Sequence, residues 1–211
     1  MTVAVVLTAC GSQPGPATPA APSTGPAAPT VNPANVKRIR PALPAGYEVA
    51  DLAGPVSAAG LWGFGPGWTA APPQCAALAD PAPTDAGARG LSASGPGGTV
   101  YVVVGSAKPD VTALTDQCAQ WTMDFAHTSG TANLVEAPHI DGAQTVAMTV
   151  ATRTVVESGT QTRGQANTAQ AYLDGHVAVV TLVTEPGSAH PPLDGGYVAD
   201  LLGKTVAAVR G

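Results

Sequence analysis

The side chains able to do covalent or acid–base chemistry are few and scattered. Cysteines stand at positions 10, 75 and 118, and histidines at 127, 139, 176 and 190. His139-Ile-Asp141 places an imidazole and a carboxylate on one side of an extended segment, as a general base with an orienting carboxylate requires. The same residues equally flank a surface turn at Asp141-Gly142. His127 is expected to end a helix, where a cation suits the dipole. His176 follows the Asp174-Gly175 hairpin turn and is expected to be exposed, and His190 precedes two prolines in a loop. The chain contains no G-x-S-x-G, no H-E-x-x-H, no P-loop and no G-x-G-x-x-G after a strand. Gly63-Phe-Gly-Pro-Gly67 is glycine-rich but lacks the lysine and following helix of a phosphate loop. No catalytic residue, metal-ligand set or cofactor is expected.

Charge excludes one class of partner. Lys and Arg total 9 against 14 Asp and Glu in 211 residues, a net charge of −5, and no basic run exceeds Lys37-Arg38. That leaves no excess to neutralise phosphates, so nucleic acid is not expected. No apolar stretch approaches the roughly 18 residues that span a bilayer.

The first residues do carry a signal. Val3–Leu7 is a short apolar run ending in Leu7-Thr8-Ala9-Cys10. Residues 11–33 then hold prolines at 14, 16, 19, 22, 26, 29 and 33 among Ala, Gly, Ser and Thr, with no charged residue before Lys37. Such a segment buries too little apolar surface to offset its ordering entropy and is expected to be a disordered tether. The Leu-Thr-Ala-Cys tetrapeptide resembles the lipobox of bacterial lipoproteins. The resemblance implies diacylglycerol on the Cys10 thiol and cleavage between Ala9 and Cys10. A secretory signal carries a basic start and an apolar run of about 7–15 residues; both are short here, so the translation start is expected to lie further upstream. Lipobox and tether together resemble the envelope lipoproteins of actinobacteria, of the Lpp/Lpq type.

With Cys10 acylated, Cys75 and Cys118 remain as an even pair. In an oxidising exterior they form one disulfide, closing a loop worth about 4 kcal/mol in the chain-entropy model. A metal site or two inert buried thiols are the alternatives, the first poorly supported without C-x-x-C spacing.

The elements that position these groups follow from period and turn chemistry. Tyr47–Asp51 reads as a first strand, and Pro72-Pro73 opens a brief helix turning Cys75 and Leu78 inward. Leu91–Ser94 and Thr99–Gly105, split by Gly95-Pro-Gly-Gly98, read as a hairpin. Val111, Leu114, Cys118, Trp121 and Phe125 recur at steps of 3 and 4, which predicts a helix over Asp110–Ala126 with Asp110 as N-cap. Thr145–Val156 alternates apolar and polar residues as a half-buried strand, and Gln161–Leu173 continues as a polar one. Asp174-Gly175 is a type I′ turn into the apolar strand His176–Thr184. Asp194 caps a last helix to about Val209. The expectation is a single α+β domain over 36–211, a mainly antiparallel sheet with two or three helices on one face. A truncated signal peptide (1–9) and the lipidated tether (10–35) precede it.

From Leu43 onward the chain also resembles a class of mycobacterial lipoprotein domains. The resemblance rests on Gly46-Tyr47-Glu48-Val49, Leu61-Trp62-Gly63, Pro72-Pro73-Gln74-Cys75 and Cys118 before the strand meander. More distantly it is similar to the extracytoplasmic sensor domain of PknH-type receptor kinases. That family implies an α+β fold with a ligand cleft and two disulfides, of which this chain can make one.

Leu61–Trp68 holds Trp62, Phe64 and Trp68 between glycines. These aromatics either cover one end of the core or form the lip of a ligand cleft, as candidate binding residues. The expected function is a non-catalytic ligand- or partner-binding module, sensor-like and monomeric. It would be lipid-anchored through Cys10 at the outer face of the plasma membrane, its partner a small molecule or an envelope protein. An envelope hydrolase and a lipid carrier are the alternatives.

Overall fold

The computed structural model describes residues 1, 30–82, 84–107, 110–190 and 193–211. Cys10, the lipobox and the proline-rich segment to residue 29 lie outside them. Nine strands run in the order β1-β3-β4-β9-β8-β7-β6-β5-β2, every neighbouring pair antiparallel. They are β1 (Glu48–Ala53), β2 (Thr69–Ala71), β3 (Arg89–Gly95), β4 (Gly98–Ser106), β5 (Gln120–Phe125), β6 (Thr128–Val135), β7 (Gln144–Val155), β8 (Gln161–Leu173) and β9 (His176–Thr184). The α-helices are α1 (Ala58–Leu61), α2 (Ala76–Ala79), α3 (Val111–Gln117) and α4 (Gly195–Arg210), with 3-10 helices at Pro33–Ala42 and Pro73–Cys75. No described helix is long and apolar enough to cross a membrane.

The α+β class and the antiparallel sheet are as expected, and strands β8 and β9 fall where period and the Asp174-Gly175 turn put them. Helix α4 begins after Asp194, whose carboxylate accepts the Tyr197 N–H at 2.9 Å. That satisfies a donor the first helical turn leaves orphaned.

The distribution of helices differs from the expectation. Alternation along β9 sends Ala178, Val180 and Leu182 to one face and Val177, Val179 and Val183 to the other. Against the first face pack α4 and the Pro33–Ala42 helix, through Leu201, Leu202, Val206, Val36 and Ile39. Against the second pack α1, α2, Trp62, Phe64, Cys75 and Leu78. A central strand apolar on both faces needs cover on both, so the short helical turns lie opposite α4. Residues at and before position 36 pack on the domain: Val36 is buried, and the Asn32 N–H donates to the Val209 carbonyl at 2.9 Å.

The expected helix over Asp110–Ala126 is a second correction. It ends at Gln117, and Gln120–Phe125 is strand β5. A spacing of 4 between Trp121 and Phe125 suits a helical face, but it is also an even number. With Met123 between them the three share one face of a strand, and Trp121 and Met123 are buried there. His127 consequently sits in the β5–β6 turn instead of at a helix end.

Candidate functional site

Helix α4 and the 3-10 helix cover only half of their face of the sheet. Beyond Ala147 of β7, which is still buried in that core, the face is uncovered, and its residues are those that alternation turned away from the second core. Rows read off the strand register are polar. One runs Thr69, Asp124, Ser129, Arg153, Arg163; the next runs Ala71, Thr122, Thr131, Ala151, Gln165; the third runs Gln120, Asn133, Thr149, Asn167. All of these are exposed or half-buried, while Met123, Ala132, Met148, Val150 and Ala166 on the reverse of the same strands are buried. An antiparallel sheet wetted on one side requires this apolar-in, polar-out pattern.

The bare face is concave. A pocket of about 480 Å³ is lined by Thr122, Asp124, Ser129, Thr131, Arg153 and Arg163. Arg163 also lines a second hollow of about 290 Å³ with Gln165, Thr184, Glu185 and His190. A third, of about 470 Å³, lies where α4 begins, among Glu136, His139, Asn167 and Gly196. These volumes suit a small molecule. An apolar hollow between α1 and β9 holds about 20 Å³, far too little for an acyl chain.

Trp62, Phe64 and Trp68 lie on the other face and line none of these pockets. Trp62 is 5 % exposed and its Nε1–H donates to Thr168 Oγ1 at 3.1 Å; Thr168 in turn meets Thr181 at 3.0 Å. Phe64 is 3 % exposed and sits where a Cβ on Gly130 would lie, 2.7 Å from its ring. Trp68 is half-buried, its ring centroid 6.3 Å from that of Phe64. Trp62 and Phe64 thus cover the core, with Trp68 as their rim.

Cys75 and Cys118 form a disulfide with both residues wholly buried. It joins the start of α2 to the end of α3. Nearby, the Tyr172 hydroxyl donates to Gln170 Oε1 at 2.6 Å, and Gln170 Nε2 donates to the Leu78 carbonyl at 2.7 Å. Burial pushes the Tyr172 phenol well above its ordinary range, so it stays a donor.

The histidines do not converge. His127 and His190 lie in connections at one end of the sheet; His139, in a connection, and His176, the half-buried first residue of β9, lie at the other. His139 Nε2 and Asp141 Oδ1 are 3.1 Å apart but both side chains are fully in solvent. Arg210 holds that turn by donating to the carbonyls of Asp141 and Gly142, each at 2.7 Å. His176 Nδ1 lies 2.9 Å from the Asp174 carbonyl.

Two carboxylates are perturbed: backbone hydrogen bonds from Ser106 and Gly87 hold Asp85 below the usual range, and Asp80 is shifted the other way. Ser57 Oγ accepts the Gly60 N–H that caps α1 and donates to Asp80 Oδ2 at 2.5 Å, while Asp80 Oδ1 is buried without a partner among the described residues. Desolvation raises the Asp80 pKa above 3.8, the serine hydrogen bond opposing it. A carboxyl whose folded pKa is raised stabilises the fold most below its unfolded value and loses that stability as pH rises through the folded value. Asp80→Asn is therefore expected to flatten this decline. The gap in melting temperature between variant and wild type should widen in the variant's favour from pH 3 to pH 7. A constant gap would mean that Asp80 titrates as if in water.

The fold and this face define an α+β domain with one large antiparallel sheet, sealed by helices over half its breadth and open over the rest. Residues 32–210 match the domain of unknown function DUF5642, and the chain belongs to that family. The match begins at Asn32, where the chain first bonds to α4. The structure is similar to the X-ray structure of an uncharacterized protein, the Rv0999 ortholog, from Mycobacterium smegmatis. It has 22% identity and a TM-score of 0.64, over 88% of this chain and 100% of that one. No curated protein matches the chain.

Sequence reasoning offered the aromatic loop as either core cover or binding lip and passed over Asp124, Ser129, Arg153 and Arg163. The signal was present in the alternation of Thr145–Val156 and the polar strand Gln161–Leu173. What it lacked was the partner register.

Proposed function

We propose that the protein is a non-catalytic binding domain that takes its ligand on the open half-face of its sheet. A lipid on Cys10 holds it at the outer face of the plasma membrane. The observation that carries the first part is the contiguous set of hydroxyl, amide and guanidinium groups around pockets on the half-face that α4 and the 3-10 helix leave uncovered. Groups of these types bind polar ligands by hydrogen bonds. The second part is supported by the Leu7-Thr8-Ala9-Cys10 motif, the proline-rich stretch after it, and a buried disulfide of the kind exported proteins keep. The likeness to lipoprotein domains and to PknH-type sensor domains supports a sensor-like role.

Two measurements test this. Protein purified from its native envelope is expected to carry diacylglycerol on Cys10, and Cys10→Ser to move it from the membrane to the soluble fraction. Unmodified Cys10 in the cytosol would defeat the location. Native mass spectrometry of the same material is expected to retain a small molecule that Thr131→Trp, at the middle of the open face, displaces without loss of fold. A ligand retained in spite of Thr131→Trp would remove the face from consideration.

A further inference from the structure

We infer that the Arg153–Arg163 end of the open face is an oxyanion site, built for the phosphate ester of a polyol. The inference rests on the open face being the binding surface and names what it binds.

Arg153 and Arg163 are direct partners in the β7–β8 ladder, so their side chains leave the same face side by side. Like charges directly opposite one another destabilise an antiparallel pair. The arrangement is conspicuous in a chain of net charge −5 with only 9 basic residues. No carboxylate offsets it: the ion pairs among the described residues are Arg40–Asp51, His139–Asp141 and Lys204–Asp200. Arg153 Nε donates to Gln161 Oε1 at 3.0 Å, which orients the guanidinium. Both arginines line the pocket of about 480 Å³. Two guanidinia converging on one hollow match an oxyanion, which each can hold through paired N–H donors.

The rest of the row supplies the other half of the ligand. From Arg153 the register runs through Ser129 to Asp124, two strands away, or roughly 10 Å at the usual strand spacing. Asp124, with Ser129, Thr122 and Thr131 around it, offers acceptors for sugar-type hydroxyls and repels a second anion. A ligand with a phosphate at one end and hydroxyls within one ring's breadth satisfies both ends. A bare polyanion satisfies only one.

Titration of the full chain with myo-inositol 1-phosphate, followed by amide chemical shifts, is expected to perturb β5–β8 saturably, with unphosphorylated inositol silent. Arg153→Gln and Arg163→Gln should each weaken binding about tenfold, equivalent to about 1.4 kcal/mol. Both variants should melt no lower than wild type, because each removes a repulsion. Asp124→Asn should weaken the ester while leaving inorganic phosphate unchanged. Vesicles of phosphatidylcholine with and without phosphatidylinositol tell the source apart. Capture only by the latter assigns a lipid headgroup, and binding of the free ester alone assigns a soluble ligand. Absence of saturable binding, or undiminished binding by the double arginine variant, overturns the assignment. If that happens while Thr131→Trp still displaces a retained neutral ligand, the binding face stands and only the oxyanion fails. If Thr131→Trp displaces nothing, the face fails with it.

Discussion

Replacing Cys75 and Cys118 together by alanine is expected to cost about 2–5 kcal/mol of stability, a fall of roughly 5–15 °C in melting temperature for a domain of this size. The bridge spans 43 residues. In the chain-entropy model a loop of that length restricts the unfolded chain by about 4 kcal/mol. Both residues are wholly buried in the second core beside Leu78 and Val111, so the double variant also leaves unfilled space there. The bridge ties the segment after β2 to the segment before β5, two strands that pair with each other. Helix α2 and helix α3 are short, and α2 reaches the sheet mainly through Gln170 and the packing of Leu78. Calorimetry of the oxidised protein, of the reduced protein and of the double variant checks this. A reduced form melting within 2 °C of the oxidised one would show the bridge to be incidental. Burial adds a kinetic expectation: a thiol reagent under native conditions should find the sulfurs only as fast as the domain opens. A loss of that size would suit an oxidising compartment, which ties this stability measurement to the proposed location.

The same region marks the boundary of what one sequence discloses. Gly175 (φ 69°) alone of the Asp174-Gly175 pair takes the left-handed conformation, so the turn is not the type I′ expected. Turn chemistry and period still located β8, the Asp174-Gly175 hairpin and β9, because a two-residue Asp-Gly loop fixes its flanking strands locally. Strand β6 carried no such signal. Thr128–Val135 contains Gly130, Asn133 and small polar residues, and becomes a strand because β5 and β7 pair with it from both sides. The Asp110–Ala126 segment failed for another reason: residues four apart satisfy both periods, and only the break at Gln117 separates them. The open face failed at the level of register. Arg153 and Arg163 are ten positions apart in the chain, and their adjacency depends on how many residues the β7–β8 turn consumes. A slip of one would place them on opposite faces.

Trp62→Ala is expected to destabilise the protein by about 3–5 kcal/mol, whereas Trp68→Ala should cost only about 1 kcal/mol. Trp62 fills the second core and closes a buried hydrogen-bond chain through Thr168 and Thr181; its removal leaves a cavity and takes the donor from Thr168. Trp68 is half in solvent and loses little beyond its tilted contact with Phe64. Guanidinium unfolding of the two variants separates these outcomes. The comparison also decides where the protein binds. Because both tryptophans lie on the face opposite Arg153 and Arg163, neither variant should change the affinity of the open face as long as the domain is folded. Should Trp62→Ala instead keep its stability and lose ligand, the aromatic loop would be the site and the polar rows merely wetted sheet. A large stability loss with unchanged binding in the surviving folded fraction leaves Trp62 as core, and assigns recognition to side chains that alternation, not hydrophobicity, put in place.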